Sequence, residues 1–134
     1  MHYIEQIDNW AKEKLSASSI PYKFREVDRL SQSMGAYILF QNHHINLLII
    51  CDRGITDIEV GPKSLKKGKH YCISFFKDLI EPASRGRWNL SLDKQLEFIE
   101  NQYEWFSENL SIKNAQGTLT KVEERCNETF NNGS

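Results

Sequence analysis

Two strongly β-prone runs, Gly35 to Gln41 and Ile45 to Cys51, are separated only by the polar Asn42-His43-His44. That spacing leaves room for a hairpin and for nothing else. Both arms carry apolar residues at odd and even positions. They are therefore expected as central strands, covered on both faces or covered on one and paired on the other. Most of what the chain can fold into follows from having such a hairpin near its middle. The remaining residues must supply neighbouring strands for its edges and helices for at least one face. With 134 residues in all, that is one domain, large enough to fold without a disulfide or a metal.

The flanking segments fit this plan. Residues 2 to 15 read as a helix, because Ile4, Ile7, Ala11 and Leu15 recur at spacings of three and four, with Tyr3 and Trp10 widening the stripe. Pro21 ends that pattern, since the residue before a proline avoids helical geometry. Tyr22 to Arg25 then alternates, and Glu26 to Leu30 continues extended with an irregularity. Asp52-Arg53-Gly54 makes a tight turn into Ile55 to Val60, whose Asp57 and Glu59 share one face and make it an expected edge strand. Short connections throughout require an antiparallel meander of three or four strands.

Beyond Gly61-Pro62 the pattern turns helical. Tyr71 to Ile80 reads either as a strand followed by a short helix or as one short helix. Ser91 is a good N-cap for a helix whose seam is Leu92, Leu96, Ile99, Tyr103, Phe106 and Leu110. Residues 114 to 134 are polar, with a short helix expected at Leu119, Val122 and Cys126 and a frayed Asn131-Asn132-Gly133-Ser134 end. The expected class is α+β, a single domain over residues 1–134: an N-terminal helix, an antiparallel meander, and C-terminal helices packed on the sheet.

Charge narrows the partners. Seventeen basic and eighteen acidic residues give a net charge of -1, which makes no global case for nucleic acid. The longest apolar run is too short to span a membrane, and an acidic N-terminus without an apolar core is unlike a signal peptide; a cytoplasmic location is expected. Cys51, Cys72 and Cys126 are an odd, scattered set, expected as reduced thiols.

The candidates for chemistry are few. His43-His44 would need metal partners from elsewhere in the chain, and a solvated hairpin tip explains the pair equally well. Cys51 has no base placed beside it by spacing. No phosphate-cradling glycine loop and no hydrolase signature occurs. Neither a catalytic residue nor a metal ligand nor a cofactor is therefore expected. The charge distribution is more informative. Residues 63 to 87 hold seven basic residues against two acidic ones, and residues 88 to 134 hold four against eight. Asp93, Glu97, Glu100, Glu104 and Glu108 fall along one flank of the long helix, with Trp105 on the other. Like charges one turn apart cost a few tenths of a kcal/mol per pair, so such a row is unfavourable for folding alone. The row reads either as a solvated helix face or as a docking surface for a basic protein partner. Asp57 and Glu59 are the competing acidic surface. The Lys66-Lys67-Gly68-Lys69 cluster is expected as a loop rather than a phosphate site.

The N-terminal amphipathic helix, the apolar meander carrying Cys51-Asp52-Arg53-Gly54, and the helix ending Trp105-Phe106-Ser107-Glu108-Asn109-Leu110 together resemble small bacterial immunity proteins of polymorphic toxin and contact-dependent growth inhibition systems. The resemblance spans about residues 2 to 112 and implies a non-enzymatic inhibitor of one cognate toxin domain, often a nuclease with a basic cleft. Two other readings share the layout: a type III-like secretion chaperone, usually dimeric, and a small enzyme using His43, His44 or Cys51. The sequence leaves monomer and weak dimer both open.

Overall fold

Strand alternation organises the centre of the molecule. The computed structural model describes residues 3–63, 69–82 and 90–132. In it β1 (Arg25–Ser31), β2 (Gly35–Gln41), β3 (Ile45–Asp52), β4 (Ile55–Pro62) and β5 (Tyr71–Cys72) form one antiparallel sheet in the order β1-β2-β3-β4-β5. This is the expected meander with one short strand added. Tyr71 to Ile80 takes the first of its two readings, two residues of strand and then a helix. The β3–β4 connection is a two-residue turn in which Arg53 (φ 54°) and Gly54 (φ 89°) both lie in the left-handed region. Such a turn matches the twist of the strands it joins.

Register sorts the side chains into two faces. On one, Ile38, Ile49 and Ile58 stand in a row across three strands, with Phe40–Leu47–Val60 and Ala36–Cys51–Thr56 on either side. Ile38, Ile49 and Ile58 are fully buried, and with Ile7, Leu96, Ile99, Phe106 and Val122 from the helices they form a single core. Each such side chain contributes about 1.5–3 kcal/mol by leaving water. On the opposite face the rows are Leu30–Tyr37–Ile50–Asp57 and Asp28–Leu39–Leu48–Glu59.

β1 is exposed along its whole length, and a bulge between Glu26 and Asp28 explains how it is held. In a regular strand Glu26 and Arg29 would point to opposite faces. The extra residue brings them to the same one, where Arg29 donates to Glu26 and to Asp8 of the first helix, the latter at 2.8 Å. The same bulge and charges blunt this edge against strand addition.

The expected open edge at Ile55 to Val60 is corrected. The Gln95 carboxamide covers it, accepting from the Ile58 N–H at 2.8 Å and donating to Asp57 at 3.0 Å, and β5 then pairs with Glu59 and Val60. A buried polar side chain here closes the sheet as a strand would.

The helices carry the seams expected of them. α1 (Tyr3–Trp10) continues into a π-helical turn, Ala11–Leu15, in which the Ser16 N–H bonds the Ala11 carbonyl while the Ser16 hydroxyl takes that of Lys12. α2 is Ile73–Ile80. α3 (Leu92–Asn101) starts where expected, its cap Ser91 accepting from the Lys94 N–H. The single helix from Leu92 to Leu110 is a second correction: it breaks at Gln102 (φ −111°, ψ 19°), and α4 (Tyr103–Asn109) follows. The seam stays buried on both sides of the break. Phe76 of α2 meets Phe106 edge-on at 5.2 Å, and Phe106 meets Trp105 and Phe98 in the same way. α5 (Ala115–Asn132) is eighteen residues long rather than short, so Asn131 and Asn132 are helical. It is pinned by Arg125 to Asp78 of α2 at 2.6 Å and by Glu123 to Lys69 and Tyr71. Lys66, Lys67 and Gly68 of the basic cluster, residues 83–89 and the Gly133-Ser134 end lie outside the described residues. Among those described, no helix is long and apolar enough to cross a membrane.

Replacing Gln95 by Met keeps the volume and removes the edge cap. It leaves the buried Ile58 N–H without an acceptor, which costs about 1–3 kcal/mol. Urea denaturation should show that loss with an unchanged m-value.

Candidate protein-binding surface

The acidic flank of α3 and α4 is not one uniform row. Asp93 accepts a hydrogen bond from the Trp10 indole at 2.7 Å and lies 3.6 Å from Lys14. Glu97 pairs with Lys94 at 3.2 Å. Glu100 accepts from the Ser18 hydroxyl at 2.8 Å, from the Ser19 N–H at 2.9 Å and from the Ser19 hydroxyl at 3.3 Å. Asp93 and Glu100 therefore tether the end of the first helix and the loop after it to α3. Glu104 and Glu108 of α4 are exposed, and neither carboxylate has a partner among the described residues. Trp105 is half-buried against Phe76 and Phe106, so most of its ring serves the core. The break at Gln102 further separates the α3 carboxylates from the α4 ones.

Asp57 and Glu59 instead belong to the second face of the sheet. Here the apolar side chains are only half-buried: Tyr37, Leu39, Leu48 and Ile50 keep part of their surface in water, while Ile38, Leu47 and Ile49, their neighbours along the same strands, show none. Leu30 at this margin is 43% exposed, and Ile55 beyond Asp52 is 69% exposed. Among the described residues, Lys69 and His70 cross the far end of this face, close above Gly61, where a Cβ would fall 2.6 Å from the His70 ring. Carboxylates bracket the apolar block on both sides. Asp28 lies on β1, holding the Tyr37 hydroxyl at 3.1 Å, and Asp57 and Glu59 lie on β4. One Asp57 oxygen is held by Gln95. Burial, and then the neighbouring Asp57, push the Glu59 carboxyl above the usual carboxylate range.

The two histidines of the hairpin tip differ: His43 is exposed, and His44 is half-buried. Asn42 is buried, and its Oδ1 accepts from the His44 and Ile45 N–H groups, closing the hairpin. Its Nδ2 donates to the Tyr22 carbonyl and, at 2.9 Å, to the Tyr103 hydroxyl. That hydroxyl lies 2.8 Å from His44 Nδ1. The Tyr103 hydroxyl thus joins Asn42 and His44 in one hydrogen-bonded cluster. His43 is exposed and stacks on Tyr22. Cys51 is buried on the core face at the other end of β3, about 20 Å away at the rise of an extended strand. The histidines and Cys51 are not brought together. Among the described residues, no group of three or more His, Cys, Asp or Glu side chains could hold a metal ion.

Two of these arrangements carry weak sequence signals. Gln95 sits beside the seam and looks like a solvent-facing helix position; the Ile58 N–H, Asp57 and the Leu90 carbonyl give it a task. Asn42 is a recognisable turn residue, but its second partner, Tyr103, lies 61 positions away.

The chain matches no protein-family model, no curated protein and no solved structure.

Two measurements check this geometry. Glu100→Gln weakens the acceptor shared by Ser18 and Ser19, so it should lower stability by about 1 kcal/mol, whereas Glu104→Gln should leave it unchanged. Burial, then His43 and Lys63, hold His44 below the usual imidazole range. The unfolded chain therefore binds a proton that the folded one resists. Stability should fall as pH drops below about 6.5, and His44→Gln should flatten that slope between pH 7 and 5.5.

Proposed function

We propose that this chain is an immunity-type protein that binds a cognate bacterial toxin domain and neutralises it by direct, non-catalytic contact. The observation that carries the reading is the pair Glu104 and Glu108 on α4. Both are exposed, they lie one helical turn apart, and neither is balanced by a cation among the described residues. Repulsion at that spacing works mildly against the helix, and no side chain among the described residues uses these carboxylates. A basic partner such as a nuclease cleft uses them well, because opposed surface charge speeds encounter and rejects wrong partners. The resemblance of the helix–meander–helix layout to immunity proteins supports the same reading, and the acidic sheet margins add to the field.

The enzyme reading loses ground because His43, His44 and Cys51 lie at opposite ends of one strand. The chaperone reading shares the half-open apolar sheet face and separates from this one by its dimeric state.

The test is protection. Co-expressed with the toxin domain encoded beside its gene, the chain should restore growth and bind that domain with one-to-one stoichiometry. His43→Ala and Cys51→Ala, made singly, should still protect. The double change Glu104→Gln with Glu108→Gln should slow association about tenfold at low salt and flatten its salt dependence, with the melting temperature unchanged. Loss of protection in the His43 or Cys51 variant, with binding intact, would turn the reading towards catalysis.

A further inference from the structure

The α4 carboxylates can steer a partner, but they offer little apolar area to hold it, since the seam of that helix and most of Trp105 are in the core. The second face of the sheet offers what they lack. Resting on the immunity reading above, we propose that this face is the anchoring surface for the toxin domain. Its occupant is a surface of that domain that presents an apolar or aromatic side chain between basic ones.

Three features of the fold support this choice. Tyr37, Leu39, Leu48 and Ile50 form a two-by-two block on the middle strands, each side chain partly open to water, while the core-face side chains of the same strands are closed off. Central, rigid apolar and tyrosine side chains ringed by polar ones are the usual composition of an energetic centre in an interface. Three carboxylates end the two rows of the block, while Arg25, on the same face of β1, donates to Gln41 one row beyond them. In the row Asp28–Leu39–Leu48–Glu59 the two carboxylates stand three strand spacings apart, about 14 Å. Asp57 ends the adjacent row. A partner that seats an apolar side chain on Leu39 and Leu48 therefore meets carboxylates on both sides, and basic residues there complete the match. Glu59 has no hydrogen-bond partner among the described residues, so its carboxylate is free to accept one.

The same bracketing argues against a second copy of the chain. Two such faces packed with aligned strands bring the Asp28 and Glu59 margins together, and like charges facing one another oppose association. Addition of a strand at the sheet edges is also disfavoured, since β1 is bulged and charged and β4 is closed by Gln95 and β5.

The experiment measures binding kinetics of the full chain against the toxin domain encoded beside its gene. Leu48→Lys should weaken binding at least a hundredfold, chiefly through faster dissociation. Asp28→Asn with Glu59→Gln removes flanking charge while keeping an amide oxygen to accept from the Tyr37 hydroxyl, and it should weaken binding about tenfold even if the lysine variant proves unstable. Glu104→Gln with Glu108→Gln should instead change association and its salt dependence. A parent protein that binds, with both sheet variants within twofold of it, overturns this inference and leaves the immunity reading standing. A parent that does not bind the toxin domain overturns the immunity reading and this inference with it. A dimer in sedimentation that Leu48→Lys disperses assigns the face to a second copy and overturns the inference as well.

Discussion

The row Ile38–Ile49–Ile58 is the contact on which the rest of the molecule depends. Its three side chains lie on three adjacent strands, are wholly out of water, and receive Ile7 from α1 and Leu96 and Ile99 from α3 in one core. Because side chains alternate along a strand, burying this row sends Tyr37, Leu48, Ile50, Asp57 and Glu59 to the opposite face. The half-open apolar face and the core are two consequences of one register. A slip by one residue would exchange them, and the fully buried row makes that slip expensive.

Charged side chains are used in two ways, separated by what surrounds them. Arg29 joins Asp8 and Glu26 across the bulge of β1, Arg125 joins Asp78 between α5 and α2, and Glu100 gathers the Ser18–Ser19 loop. These ties connect elements far apart in sequence, and they are multidentate or partly sheltered, the settings in which an ion pair or charged hydrogen bond contributes measurably. Among the described residues, Glu104, Glu108 and Glu59 have no such tie. Charge left over after the internal ties are made is the charge available to a partner.

The hairpin tip joins the two halves of the molecule. Asn42 closes the turn with one end of its amide and reaches Tyr103 with the other, and Tyr103 is the first residue of α4, immediately after the break at Gln102. The break and this docking occur together. α3 runs beside β4, where Gln95 caps its edge, while α4 places Tyr103 at the β2–β3 turn and Phe106 among Phe76, Trp105 and Phe98. His44 is drawn into the same cluster, and so a residue that reads as solvated is half-buried and difficult to protonate.

By itself the sequence determined the local part of this protein. Two β-prone apolar runs around a short polar break set β2 and β3 to their true limits at Gly35, Gln41 and Ile45, and Asp52-Arg53-Gly54 marked a turn because glycine reaches positive φ without cost. The Glu26–Asp28 irregularity, the Ser91 cap and the apolar seam from Leu92 to Leu110 were also legible, since each depends on residues within a few positions of one another. Tertiary structure decided what depends on distant partners. The Ile58 N–H gave Gln95 its task 37 positions away, and Asn42 and His44 met Tyr103 where the helix breaks. Ser18 and Ser19 took Glu100 out of a row that looks uniform on a helical projection. A helical or strand period reports which face a residue occupies. Whether a carboxylate on that face is tied within the fold or left for a partner depends on what packs opposite it, and that is settled only when the chain closes on itself.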